Sequence, residues 1–214
     1  MRARLWLVFV SVVLVAPAIE GAPPEPAVDT NRLDIAANMR VAVHVYTQDT
    51  ELTAEDEQLA LKVARDVFAT ASIDVAWTMC EPGTCLKPSA EALKVRIVLS
   101  PDRNEVNSGI LGHALIDSRA HSGVLATIFL DRTQRLANDL GIDHRVLLGR
   151  AIAHELGHLL LGTSTHGVGL MREVWSYDEL LGERRGDWVF NPLDASAIRN
   201  RLARRGTGRI RGAS

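Results

Sequence analysis

His154, Glu155 and His158 stand in the order His-Glu-x-x-His, with Leu156 and Gly157 between the carboxylate and the second imidazole. If this stretch is helical, the two histidines project from one face about one turn apart, so both can reach one cation. Zinc accepts imidazole nitrogen at about 2.0–2.1 Å, and its catalytic sites keep three protein ligands and leave the fourth position to water. Such an ion lowers the pKa of water toward about 7 and polarises a carbonyl, while a neighbouring carboxylate takes the water's proton and passes it to a leaving amine. Glu155 is placed for that role, and the chemistry is hydrolysis of a peptide bond with one catalytic Zn2+.

A third ligand is required. Gly162 is a natural residue to end the helix, and the stretch Thr163-Ser164-Thr165 then brings His166 back toward the metal. Glu173, Glu179 and Glu183 are the alternative third ligands, with His166 a bystander. A zinc-containing binding or inhibitory module without turnover is a different reading of the same ligands. Retention of Glu155 speaks against it, as does the absence of a fourth protein ligand. Ordinary core histidines without metal form the third reading; burying such groups without partners costs several kcal/mol. Beyond His166, Gly167 to Met171 allows a tight turn beneath the site, and Trp175 and Tyr177 follow closely. Tyr177 is a candidate donor to the developing oxyanion, with packing as its alternative role.

Several elements must hold these residues. Met39 to Thr47 alternates Val41, Val43 and Val45 on one side of a strand, with His44 on the other face as a surface residue rather than a ligand. Thr53 and Asp56 have capping spacing at the start of a helix to Ala71 that aligns Leu59, Val63 and Val67. Ile73 to Met79 and Leu93 to Ser100 are strands. From Ser108 a Gly- and His-bearing loop containing His113 and His121 leads into a strand over Gly123 to Leu130. The spacing predicts the site helix over Arg145 to Leu161 and a closing helix over Pro192 to Arg205. The fold class is therefore α/β (α+β).

At 47% apolar and 23% charged residues, 214 residues suffice for one globular domain, and a net charge of −2 argues against nucleic acid as a partner. Arg2 and Arg4, the apolar run Leu5 to Val15 and Ala16-Pro17-Ala18 form the three regions of a signal peptide. The run is about half the roughly 20 residues of a spanning helix, so no stable membrane insertion is expected after cleavage. The chain then divides into a signal over 1–18, a flexible lead-in over 19–32, a catalytic domain over 33–206 and a disordered tail over 207–214. Its expected location is secreted or periplasmic. Cys80 and Cys85 flank a turn-like stretch, and in an oxidising compartment they are expected to form a disulfide that stiffens a small loop. Thiol ligation of a metal is the alternative, but no second thiol pair or His nearby in the sequence completes a four-ligand set.

The stretch HELGHLLLGTSTHGVGLM resembles a metzincin-type zinc site, in which the helical motif is followed by Gly, a third His and a downstream Met-turn. The metzincin pattern wants Gly at Leu161 and His at Ser164; here Gly is shifted by one and His by two. The same stretch closely resembles predicted exported bacterial metalloproteases with His-Glu-x-Gly-His-Leu-Leu-Leu-Gly, a delayed His and then Met followed by Arg, as in Met171-Arg172. Resemblance implies a mixed sheet with an antiparallel edge strand above a cleft, an active-site helix, Met171 as the Met-turn residue under the histidines, and a C-terminal helix. It also implies a peptide or protein substrate, with Gly123 to Leu130 as the edge strand that would pair with it.

Overall fold

In a computed structural model of the chain, residues 39–81, 85, 92–101, 109–182 and 185–211 are described. The expected signal peptide and lead-in lie outside them. Valines at alternate positions build β1 (Arg40–Thr47), with Val41, Val43 and Val45 all buried. A helix, α1 (Ala54–Thr70), follows, and the Thr53 side chain accepts from the Asp56 backbone N–H, as the capping spacing predicts. The chain returns as β2 (Asp74–Met79), then β3 (Leu93–Val98), β4 (Gly112–Asp117) and β5 (Ser122–Phe129).

These strands form one five-stranded sheet in the order β2-β1-β3-β5-β4. All pairs are parallel except β4 with β5, which is antiparallel. The expectation of a mixed sheet with an antiparallel edge strand holds, but the edge is a different segment. Gly123 to Leu130 is not the edge: β5 lies between β3 and β4, and Gly112–Asp117 is the outer strand. β5 is the strand buried on both faces toward its C-terminal end, where Ala126, Thr127, Ile128 and Phe129 are all covered. β4 exposes Leu115 at 65%, so its apolar pattern does not read as a half-buried strand.

A second helix absent from the sequence reading, α2 (Leu130–Leu140), begins directly after β5. It carries no side-chain cap at Phe129, which removes the usual start signal, and it ends at Gly141 with φ 65°. The site helix α3 (His144–Leu161) is capped by Asp143, whose side chain accepts from Arg145 N–H. It crosses α1 closely at Gly149, where a Cβ would stand 2.4 Å from the Ala60 carbonyl oxygen. α3 also packs on β4 and β5, so the site helix lies directly behind the antiparallel edge. A short α4 (Tyr177–Leu181) opens with a capping box between Ser176 and Glu179. Helix α5 (Pro192–Arg211) closes the chain and runs past the expected end at Arg205.

Cys80 and Cys85 are joined in a disulfide with Cα atoms 5.4 Å apart. No helix among the described residues is long and apolar enough to cross a membrane.

Candidate metal centre

Residues from Leu147 to Leu160 are buried except Arg150, so α3 is enclosed nearly all round rather than amphipathic. His154, Glu155 and His158 are thus held inside the protein, at 8%, 8% and 4% exposure. Gly162 ends the helix with φ 61°, a left-handed conformation that favours glycine. A Cβ there would also collide with the His121 carbonyl oxygen at 2.0 Å, so the β4–β5 turn presses directly on the helix end. Arg201 of α5 secures that junction. It donates to Leu161 O at 2.6 Å and also to His121 O.

The reversal at Gly162 brings His166 back, and the ligand nitrogens of His154, His158 and His166 lie within 4.8 Å of one another. His154 Nδ1 meets Leu170 O at 2.8 Å, and His158 Nδ1 meets Thr163 O at 2.9 Å. A carbonyl only accepts, so both Nδ1 atoms carry the proton and both Nε2 atoms carry a lone pair. Those two Nε2 atoms face each other at 3.0 Å. Two lone pairs that close, with no proton to share, form an arrangement complementary to a cation. Burial favours the neutral imidazole: desolvation lowers the pKa of His154 to about 4 and lowers that of His158. The residues present fit a metal bound by neutral imidazole.

Met171 lies 1% exposed directly beneath α3, and a Cβ on Gly157 would stand 2.6 Å from its sulfur. The turn carrying it is pinned by Gly167 N–H to Met171 O at 2.8 Å and Leu170 N–H to Val189 O at 3.0 Å. Trp175 donates to Leu170 O at 3.3 Å, so one carbonyl receives both His154 and Trp175. The indole also meets the His154 ring edge-on at 5.6 Å between centroids and packs on Trp188, over which Arg150 lies at 3.7 Å.

Glu155 opens into a cleft of about 690 Å³ walled by β4 residues, the histidines and the segment Arg172 to Trp175. Desolvation pushes its carboxyl up to about 8. Gly112 of β4 lies so close that a Cβ there would meet Glu155 Cγ at 3.1 Å. His113, expected in a loop, is on β4 and lines the cleft, a placement no spacing rule signals. His121 occupies the β4–β5 turn.

Among the acidic alternatives to His166, Glu179 is engaged by Ser176 and by Arg172. Glu173 is exposed on the cleft wall, and Glu183 lies outside the described residues. Tyr177 is 61% exposed at the start of α4 and is not among the residues that line the cleft, whereas Trp175 is.

No protein-family model matches this chain. No curated protein matches it either. Among solved structures it is similar to an archaemetzincin from Methanopyrus kandleri, at 12% identity and a TM-score of 0.49, over 77% of this chain and 96% of that one. A likeness that weak adds nothing to what the site geometry supports.

Proposed function

We propose that this chain is an exported zinc-dependent endopeptidase, with His154, His158 and His166 as the metal ligands, Glu155 as the general base and Met171 as the packing floor beneath them. The observation that carries the reading is the pair of proton-free Nε2 atoms facing each other at 3.0 Å, with a third imidazole beside them. When bound, zinc supplies Lewis-acid polarisation of the scissile carbonyl and acidifies water.

Around that chemistry the chain's own residues act as follows. The two backbone carbonyls hold the His154 and His158 rings with Nε2 forward. The Glu155 carboxylate takes a proton from a water in the cleft as the water oxygen adds to the carbonyl carbon. The resulting carboxylic acid then gives that proton to the departing amine as the C–N bond breaks. A cation beside Glu155 lowers its pKa from the metal-free value, which supplies the ionised base near neutral pH. The outer strand β4, which pairs on one side only among the described residues, offers its other edge to an extended peptide substrate. Export is supported by the signal-like residues 1–18 and by the disulfide.

The test is elemental analysis of the purified mature chain together with hydrolysis of casein by the native protein and by Glu155→Gln. Near-stoichiometric zinc in both, with turnover lost about 10²–10⁴-fold or more in the variant, is the expected result. Zinc without hydrolysis in the native chain would favour the binding module, and absence of zinc would return the histidines to a packing role.

A further inference from the structure

Away from the cleft, on the other face of the sheet from Val43 and Val45, the chain gathers a second set of metal-ligating groups. His44 on β1 lies in register with Thr78 on β2, two residues before Cys80, and Cys80 N–H donates to Val45 O at 2.8 Å. The disulfide then brings Cys85 to the same place. The ligand atoms of His44, Cys80 and Cys85 all lie within 4.8 Å of one another. Sequence spacing alone does not reveal this: His44 is 36 residues from Cys80, and only the parallel pairing of β1 with β2 makes them neighbours.

The His44 imidazole is not satisfied where it stands. Its Nδ1 is shut off from solvent and finds no hydrogen-bond partner among the described residues, which is unfavourable for a buried polar atom. Cys80 is itself buried, at 6% exposure. An imidazole with one orphaned, buried nitrogen stands beside two sulfurs, and the bond between those sulfurs closes the ligand set.

We propose that reduction of the Cys80–Cys85 disulfide opens a second metal site, in which two thiolates and the His44 imidazole bind a soft divalent cation such as zinc with water as the fourth ligand. A dithiol supplies two electrons and two protons, becoming a disulfide itself, and leaves two thiols on this chain. The incoming cation displaces both thiol protons. Zinc takes thiolate sulfur at about 2.3 Å and imidazole nitrogen at about 2.0–2.1 Å, so the freed sulfurs must rotate apart to bind it. An exogenous disulfide runs the sequence backwards: it takes two electrons from the two thiolates, is itself cleaved to two thiols, and the re-formed Cys80–Cys85 bond expels the cation. This site is independent of His154, His158 and His166 and goes beyond the proposed peptidase.

Cobalt(II) distinguishes the two sites, because only thiolate ligation gives the sulfur-to-cobalt charge-transfer band in the near ultraviolet. The full chain is titrated with cobalt under anaerobic conditions before and after reduction by a phosphine, with circular dichroism recorded alongside. The expected result is one extra equivalent with a thiolate band in the reduced chain and no such band in the oxidised chain. Cys85→Ser should abolish the band, and His44→Ala should weaken binding at this site about 10-fold or more. A folded reduced chain without the band overturns the proposal, as does a His44→Ala chain that binds cobalt equally well. So does a reduced chain that unfolds and does not refold when cobalt is added.

Discussion

The sulfur of Met171 occupies the space a side chain on Gly157 would need, 2.6 Å from where its Cβ would stand, with Phe190 Cε1 2.8 Å away on the same side. The turn beneath the site and the helix that carries the ligands therefore meet with no slack, and the glycine inside the His-Glu-x-x-His stretch is fixed by packing. Gly157→Ala gains about 1 kcal/mol of helix propensity but overpacks a buried contact at a cost of about 1–3 kcal/mol. The net effect is a lower melting temperature for the metal-free protein. Pairing it with Met171→Ala should relieve the clash, so the double variant loses less than the two single losses added. Simple additivity in thermal unfolding would show that the two residues do not press on each other.

Gly149→Ala is expected to be worse than Gly157→Ala. Its Cβ would meet the Ala60 backbone oxygen at 2.4 Å and the β-branched Val63 at 2.7 Å, neither of which can swing aside as a methionine end can. Comparison of the two variants by chemical denaturation checks the order; equal midpoints would contradict it.

Each of the three histidines is needed for metal retention in the proposed site, but with different consequences for the apo fold. His154→Ala and His158→Ala remove groups that are buried and tied to backbone carbonyls, so they should cost stability as well as zinc. His166 is exposed, so His166→Ala should lose zinc while leaving the melting temperature of the metal-free chain nearly unchanged. Zinc retained after dialysis of His166→Ala would transfer the third ligand to another residue.

Trp175 and Tyr177 separate in the same way. Trp175→Phe removes the second donor to Leu170 O, the carbonyl that orients His154, and should weaken zinc affinity about 10-fold by competition with a chromophoric chelator. Tyr177 is largely exposed outside the cleft wall, so Tyr177→Phe should leave kcat and KM unchanged. A large fall in kcat for Tyr177→Phe would instead make its hydroxyl the oxyanion donor.

The metal-free protein should be squeezed from both ends of the pH scale. Glu155 is raised from 4.5 to about 8 in the fold, so its contribution is present below about pH 4.5 and is lost as pH rises through 8. His154 is lowered from 6.5 to about 4, so its contribution is present above about pH 6.5 and is lost as pH falls toward 4. Metal-free Glu155→Gln should consequently gain stability over the native chain as pH rises from 5 to 8. Parallel melting curves for the two across that range would place Glu155 in water rather than in the fold.

The helix bearing the ligands was legible because its evidence is local. Gly162 marks its end, and a period of 3.6 residues alone brings His154 and His158 to one face. Likewise β1 and β3 declare themselves by alternation, and α1 by the cap at Thr53. Cys80 and Cys85 pair across so short a separation that no fold is needed to propose it. α2 escaped because it starts without a capping side chain, directly from a buried strand. Strand β4 escaped because an edge strand can leave Leu115 facing solvent, which erases the alternation on which the reading depends.

What the residues determined by themselves was therefore chemistry and short-range geometry: which groups can hold a cation, and which of them share a helix face. Only the tertiary structure decided what lies against those groups. The parallel pairing of β1 and β2 set His44 beside the disulfide, and the β4–β5 hairpin placed Gly112 on Glu155. The turn at Leu170 supplied the carbonyl that fixes the His154 proton. Contacts of that kind join residues far apart in the chain through backbone hydrogen bonds and close packing, and neither leaves a periodic mark in the sequence.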